Sequence, residues 1–250
     1  MTDLFNLSGR VAVVTGANTG IGQGIAVALA QAGADVVTVG RSPTDETRAM
    51  LPEGTRHHDI RTDLSTAAPA AGIVEEVVST MGCIDILVNN AGIIRRADAV
   101  DFTEADWDAV MDTNLKSLFF LSQAAGRAMI GQGSGKIINV ASLLSFQGGI
   151  RVSSYTAAKS GVAGLTKILA NEWAAKGVNV NAIAPGYIET NNTTALREDP
   201  KRSADILGRI PAGRWGRPSD MGGAAVFLAS SASDYVNGIT LPVDGGWLAR

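Results

Sequence analysis

An apolar run, Val11-Ala12-Val13-Val14, stops at TGANTGIG, residues 15–22, and the chain resumes with Ile21, Ile25, Ala28, Leu29 and Ala32 at helical spacing. The pattern is that of a strand, a tight turn and a helix. Such a unit aims unpaired backbone N–H groups and the positive end of a helix dipole at one point, where a phosphate can sit. Gly16 permits the turn, Gly20 lets the main chain approach a diphosphate, and Gly22 allows the helix to pack closely on the strand. Asn18, Thr19 and Ile21 belong to the same turn and are candidate cofactor contacts. Glycines at these spacings also mark ordinary loops, but their place in a strand-turn-helix unit favours a bound dinucleotide. A P-loop is disfavoured, because no Lys-Ser/Thr follows the last glycine.

The 250 residues are read as one domain, since no Pro- or Ser-rich linker divides them and strands alternate with helices throughout. A net charge of -3 with scattered Lys and Arg offers no basic surface for nucleic acid. A single cysteine, Cys83, excludes a disulfide framework, and the adjacent His57 and His58 lack a partner at metal-ligand spacing. No metal is expected, and the histidines are read as surface residues ending a strand. With no uninterrupted apolar stretch of about 18 residues and no leader-like start at Met1-Thr2-Asp3, a soluble, cytoplasmic protein without a membrane partner is expected.

The second strand covers residues 35–39, and Gly40-Arg41-Ser42 follows it. A dinucleotide fold that binds NAD places an acidic residue here, whereas an arginine accommodates the 2′-phosphate of NADP. Arg41 therefore leans the chain towards NADP. Residues 59–64 end a third strand, with Asp63 able to face the adenine and Leu64 beside it. Residues 73–81 read as a helix. A fourth strand, 84–88, leads into Asn89-Asn90-Ala91-Gly92, at the carboxyl end where ligands of open α/β sheets collect. These amides also suit the bland task of locking turns.

Trp107, Val110, Met111, Leu115, Leu118, Leu121 and Ala125 keep helical spacing, with Asn114 inside the stripe. A buried amide must be paired, so Asn114 is expected to bond backbone or water; from the stripe alone it reads as structural. A fifth strand, 137–141, ends at Ser142. Ser154 reads as the N-cap of a long helix on which Tyr155, Ala158, Lys159, Val162, Leu165, Leu169 and Trp173 share a face. Tyr155 could simply pack while Lys159 snorkels past it. Alternatively, an ammonium about 4 to 6 Å from a phenol would lower its pKa from about 10 and make a general acid/base. A sixth strand, 178–184, runs into Pro185-Gly186-Tyr187-Ile188-Glu189-Thr190. The polar stretch 191–209 reads as a partly helical lid, Ser219 as the cap of a helix through Leu228, and 238–243 as a last strand.

Taken together, TGANTGIG, NNAG at 89–92, Asn114, Ser142, the Tyr155-Ala-Ala-Lys159 pair and Pro185-Gly186 resemble the short-chain dehydrogenase/reductases over nearly the whole chain. The resemblance implies a Rossmann-type doubly wound parallel sheet of about seven strands with helices on both faces, usually assembled as a homotetramer. It implies NAD(H) or NADP(H) as cofactor, and a secondary alcohol or ketone as the other reactant. It also implies roles. Tyr155 would be the acid/base, Lys159 would depress its pKa and hold the nicotinamide ribose, and Ser142 would bond the reacting oxygen. Asn114 would fix a water, while Ile188 and Thr190 would orient the carboxamide.

Within that family, IIRRADA (93–99), SFQGGIRVSSYTAAK (145–159), IAPGYIETNNT (183–193), RIPAGRWG (209–216) and SSASDYVNGITLPVDGGWLAR (230–250) are similar to the 2-deoxy-D-gluconate 3-dehydrogenase / 2-dehydro-3-deoxy-D-gluconate 5-dehydrogenase group. That implies a small sugar acid, whose carboxylate an arginine can grip with two parallel hydrogen bonds. Arg95, Arg96 and Arg151 are the candidates, each equally readable as a surface ion pair; Gln147, Asn191 and Asn192 could bind hydroxyls. The group is usually associated with NAD, whereas Arg41 suits NADP. The alternatives are a 3-oxoacyl thioester reductase and a dinucleotide-binding sensor without turnover.

Overall fold

The computed structural model describes residues 4–250; residues 1–3, where the sequence was read for a leader, lie outside the described residues. The Val- and Ile-rich runs form β1 (Val11–Thr15), β2 (Asp35–Gly40), β3 (His57–Arg61), β4 (Ile86–Asn89), β5 (Gly135–Val140), β6 (Val178–Pro185) and β7 (Thr240–Val243). All pair in parallel, in the order β3-β2-β1-β4-β5-β6-β7. Successive side chains of a strand face opposite ways, so Val11 and Val13 enter one core while Ala12 and Val14 enter the other. Both faces are buried, which is why these strands read as continuous apolar runs.

The helices are α1 (Gly20–Gln31), α2 (Asp45–Ala49), α3 (Ala70–Met81), α4 (Glu104–Met111), α5 (Ser117–Gln132), α6 (Ser153–Trp173), α7 (Thr194–Arg197), α8 (Pro200–Leu207) and α9 (Gly222–Ala229). Residues of α3, α5 and α6 close one face of the sheet, and residues of α1 and α9 close the other. From β1 the strand order runs outward in both directions. A crevice therefore opens where the carboxyl ends of β1 and β4 part, the general ligand position of open α/β sheets.

Local boundaries differ from the sequence reading for identifiable reasons. β3 begins at His57 and ends at Arg61, so the two histidines open the strand rather than end it, and Asp63 and Leu64 lie beyond it. Both histidines are half-buried and bonded: His57 Nε2 lies 2.9 Å from Thr38 Oγ1, and His58 Nε2 lies 2.7 Å from Glu76. The apolar stripe 107–125 is interrupted by a π-helical turn, Asp112–Lys116, which carries Asn114. Ser154 is not the cap of α6: the helix starts at Ser153 after Val152, and Ser154 is buried in its first turn. Ser219 lies inside a 3-10 turn, Pro218–Met221, preceding α9, and β4 and β7 start two residues later than their apolar patterns do.

Candidate active site

The phosphate turn is held open by covalent geometry and by neighbours. Gly16 and Gly20 have φ of +64° and +60°, which a side chain would strain. A Cβ on Gly22 would run into the Gly16 carbonyl and the Asn90 amide, so glycine here lets α1 start against β1. The N-terminus of α1 has no side-chain cap and no acidic residue in its first turn. Its free N–H groups and dipole are left to an external anion.

Asn90 does the locking that its residue type suggested. Its Nδ2 donates to the carbonyls of Thr15 (2.9 Å) and Gly16 (3.1 Å), while Thr15 Oγ1 accepts from the N–H groups of Asn90 and Ala91, both at 2.9 Å. Asn89 points into the core, donating to Ser122 and Asn139. Asn114, 1% exposed, closes a two-way bond with the Ile93 backbone at 2.8 Å each. The expectation of a paired buried amide holds, and the pairing fixes the loop after β4.

A cleft of about 530 Å³ runs from this turn across the crevice. Of the sequence candidates, Gly16, Asn18, Thr19, Gly20, Ile21, Arg41, Asp63, Leu64, Asn90, Ala91, Gly92, Arg95, Tyr155, Lys159, Thr190 and Asn192 line it. Asn114 and Gly22 sit behind the wall. Pro185, Gly186 and Ile188 are off the wall too; Ile188 is buried and bridges to Gly216. Asn191 lines the cleft as well, whereas Ser142, Arg96, Gln147 and Arg151 lie outside the lining set. Sequence reasoning missed Thr62, Ser65, Ala109, Thr113 and Val140, which also line the cleft; Thr62 and Val140 stand at strand ends and Thr113 is next to Asn114. Being next to a strand's carboxyl end was the available signal. Arg41 Nε lies 3.9 Å from Asp63, whose carboxylate is held by the Ser65 N–H and hydroxyl at 3.0 and 2.9 Å.

At the inner end α6 presents Tyr155 and, one turn on, Lys159. Lys159 is 4% exposed; its ammonium donates to the Val140 carbonyl at 2.6 Å and lies 5.6 Å from the Tyr155 ring centroid. Burial pulls its pKa down to about 8. The sequence reading expected this ammonium to depress the Tyr155 pKa, and the structure differs. Burial pushes the phenol above its ordinary value, partly opposed by the Ser142 hydroxyl bonded to it and by the charge of Arg96. The physical reason is placement: the ammonium lies over the ring, turned to a backbone carbonyl. Desolvation thus keeps Tyr155 protonated.

The three arginines separate cleanly. Arg95 Nε is 3.2 Å from Asp106, and Arg151 Nε is 3.2 Å from Asp98. Arg96 has no carboxylate partner among the described residues; it donates to the Asn192 carbonyl at 3.3 Å, at the start of the 191–209 segment. That segment folds as a 3-10 turn (Asn191–Thr193) followed by α7 and α8. Arg151 also holds φ at +64°, and its carbonyl accepts from Ala97 N–H at 3.2 Å, pinning the loop before Tyr155 to the loop after β4.

Comparison with known proteins agrees with this geometry. Residues 16–248 match the family model described as enoyl-(acyl carrier protein) reductase. The 2-dehydro-3-deoxy-D-gluconate 5-dehydrogenase of Escherichia coli (strain K12) is 60% identical over 248 residues, 98% of each chain. A structure from Agrobacterium tumefaciens, assigned as a 2-deoxy-D-gluconate 3-dehydrogenase and holding NADP, has a TM-score of 0.94 at 61% identity over 100% of both chains. A gluconate 5-dehydrogenase from Burkholderia cenocepacia J2315, in complex with NADP and tartrate, has a TM-score of 0.94 at 43% identity, covering 99% of this chain and 98% of its own. With a parallel seven-stranded sheet, an open phosphate turn and a Tyr-Lys pair at the cleft's inner end, the chain belongs to the short-chain dehydrogenase/reductase family.

Proposed function

We propose that the chain is an NADP-preferring oxidoreductase that interconverts a secondary alcohol and a ketone on a deoxy sugar acid of the 2-deoxy-D-gluconate or 2-dehydro-3-deoxy-D-gluconate type. A relative and a structural neighbour carrying those names, the neighbour with NADP bound, and a gluconate 5-dehydrogenase holding NADP and tartrate support it. The observation that carries the substrate class is Arg96: a guanidinium without a carboxylate partner among the described residues, close enough to Tyr155 for its charge to be felt there. An arginine held only by a backbone carbonyl beside an acid/base is suited to an anionic substrate.

The residues fit a dinucleotide. The uncapped start of α1 takes the diphosphate, Arg41 and Ser42 at the end of β2 take a 2′-phosphate, and Lys159 holds ribose hydroxyls at the inner end. A bound nicotinamide supplies the hydride transfer. The proton is this chain's task. In reduction Tyr155, held protonated by its burial, delivers its phenolic proton to the oxygen of the substrate ketone, and in oxidation the phenolate takes the proton back. Ser142 donates to the same oxygen as charge gathers there. Asn114 fixes the Ile93 loop and provides a place for a relay water beside Lys159. The 191–209 segment, touching Arg96 through Asn192, covers the substrate.

The chain is expected to assemble as a homotetramer. Trp107 and Phe120 on α4 and α5, and Ile168, Tyr235 and Ile239 around α6 and β7, leave apolar surface uncovered. No described helix is long and apolar enough to cross a membrane.

A 3-oxoacyl thioester reductase is the rival activity, since the matched family model carries an acyl carrier protein reductase description. Its substrate has no carboxylate for Arg96 to hold. Steady-state rates with 2-deoxy-gluconate-type acids and their keto forms, against acetoacetyl thioesters, separate the two; turnover of thioesters alone rejects the sugar-acid reading. A pure nucleotide sensor would turn over neither.

A further inference from the structure

Trp247, near the end of the chain, packs against the loop that follows Ser142. Its indole is 4% exposed, and Nε1 donates to the Gln147 Oε1 at 3.3 Å. The Arg209 guanidinium lies 4.0 Å from the Trp247 ring, and the Tyr187 ring centroid is 4.7 Å away. Ile206 of α8 shares the same buried cluster, as does Leu143 beside Ser142. The Ala212 N–H donates to the Gly245 carbonyl at 2.9 Å, and the Arg250 side chain to the Gly208 carbonyl at 3.1 Å. One side chain thus touches the loop that follows Ser142, the end of the 191–209 segment and the turn after β6.

The chemistry of the Gln147 contact is unambiguous. An indole N–H can only donate, so the amide must present its oxygen to Trp247. Its NH2 is thereby turned away, with no partner of its own among the described residues. We infer that Trp247 is a positioning residue which fixes Gln147 as a donor to a substrate oxygen, a hydroxyl or a carboxylate. This rests on the sugar-acid reading for the identity of that oxygen, and on the geometry alone for the coupling.

Three variants test it: Trp247→Phe, which keeps a ring for Arg209 and Tyr187 but removes the donor; Gln147→Met, which removes the amide at similar size; and Gln147→Glu, which can still accept from the indole but has no NH2. Each is expected to raise the sugar-acid KM by roughly three- to tenfold, the value of one hydrogen bond. The kcat and the dissociation constant for NADPH should stay within about twofold. Trp247→Phe combined with Gln147→Met should raise KM no further than Gln147→Met alone, because both remove one coupled contact. A wild-type KM for Trp247→Phe, or additive effects in the double variant, overturns the coupling. A wild-type KM for Gln147→Glu overturns the donor assignment. If Trp247→Phe fails to fold, the two Gln147 variants still decide whether the amide donates. If the wild type turns over no sugar acid, the substrate reading fails by itself, and the same comparison on the substrate it does use decides the coupling.

Discussion

Lys159 gives the most quantitative handle on the site, because its burial makes a stability statement that needs no substrate. The ammonium has no carboxylate within 4.0 Å among the described residues and rests on one backbone carbonyl, so desolvation dominates and its pKa falls from 10.5 to about 8. At about 1.4 kcal/mol per pH unit, that gap amounts to roughly 3 kcal/mol by which charging Lys159 disfavours the folded state. The sign follows from proton counting. Between pH 8 and 10.5 the unfolded chain holds the proton and the folded chain releases it, so stability rises with pH through that window. Below it the penalty is complete and constant.

Replacing Lys159 with Met keeps the volume and removes the titration, at the cost of a pH-independent loss of the bond to Val140. Other groups titrate alike in both proteins and cancel in the difference. Urea unfolding of the cofactor-free proteins at several pH values should therefore give a wild-type-minus-variant stability that climbs by roughly 2 to 3 kcal/mol between about pH 7 and pH 10. A difference flat to within about 0.5 kcal/mol would falsify the buried-ammonium account, and a difference that falls with pH would mean that an anion holds the lysine.

Tyr155→Phe removes only the phenolic oxygen; kcat should drop by roughly 10²- to 10⁴-fold while NADPH binding, followed by fluorescence, is unchanged, and near-normal rates would remove the acid/base role. Arg41→Ala should weaken NADPH by roughly ten- to hundredfold and leave NADH nearly as it was, a charge-assisted bond to the 2′-phosphate being lost; equal losses for both cofactors would place Arg41 elsewhere. Arg96→Ala should raise the sugar-acid KM by roughly ten- to hundredfold, whereas Arg95→Ala and Arg151→Ala, whose guanidinium groups are held by Asp106 and Asp98, should change it less than about threefold. The reverse ranking in steady-state assays would move the carboxylate site.

How much of this was readable in the chain depended on the range of the forces involved. The turn at residues 15–22 and the Tyr155-Lys159 pair were legible because their meaning is local: positive φ at Gly16 and Gly20, and one helical turn between phenol and ammonium. The parallel sheet followed from apolar runs buried on both faces. Illegible were the features decided by partners distant in the chain. Thr38 of β2 bonds His57 and Asp59 of the neighbouring strand, and both histidines lie within β3, at its start. Ile93 takes both polar ends of Asn114, within the π-turn that interrupts the helix there.

The arginines make the same distinction most sharply. Nothing in IIRRADA distinguishes Arg95 from Arg96 as residue types; Asp106, brought round on α4, pairs with Arg95, while no carboxylate among the described residues pairs with Arg96. Residue types alone also suggested that a lysine near a tyrosine lowers the phenol's pKa. The fold reverses this by burying Lys159, desolvating the half-buried Tyr155 at the cleft's inner end and turning the ammonium to Val140, which leaves a protonated phenol and a reluctant cation. A site strained in this way gains from any partner that brings hydroxyl oxygens to the lysine, so binding of the dinucleotide should itself raise the proton affinity of Lys159. The stability rise between pH 8 and pH 10 is then expected to shrink when saturating NADP is present, in the same unfolding experiment that tests the lysine alone.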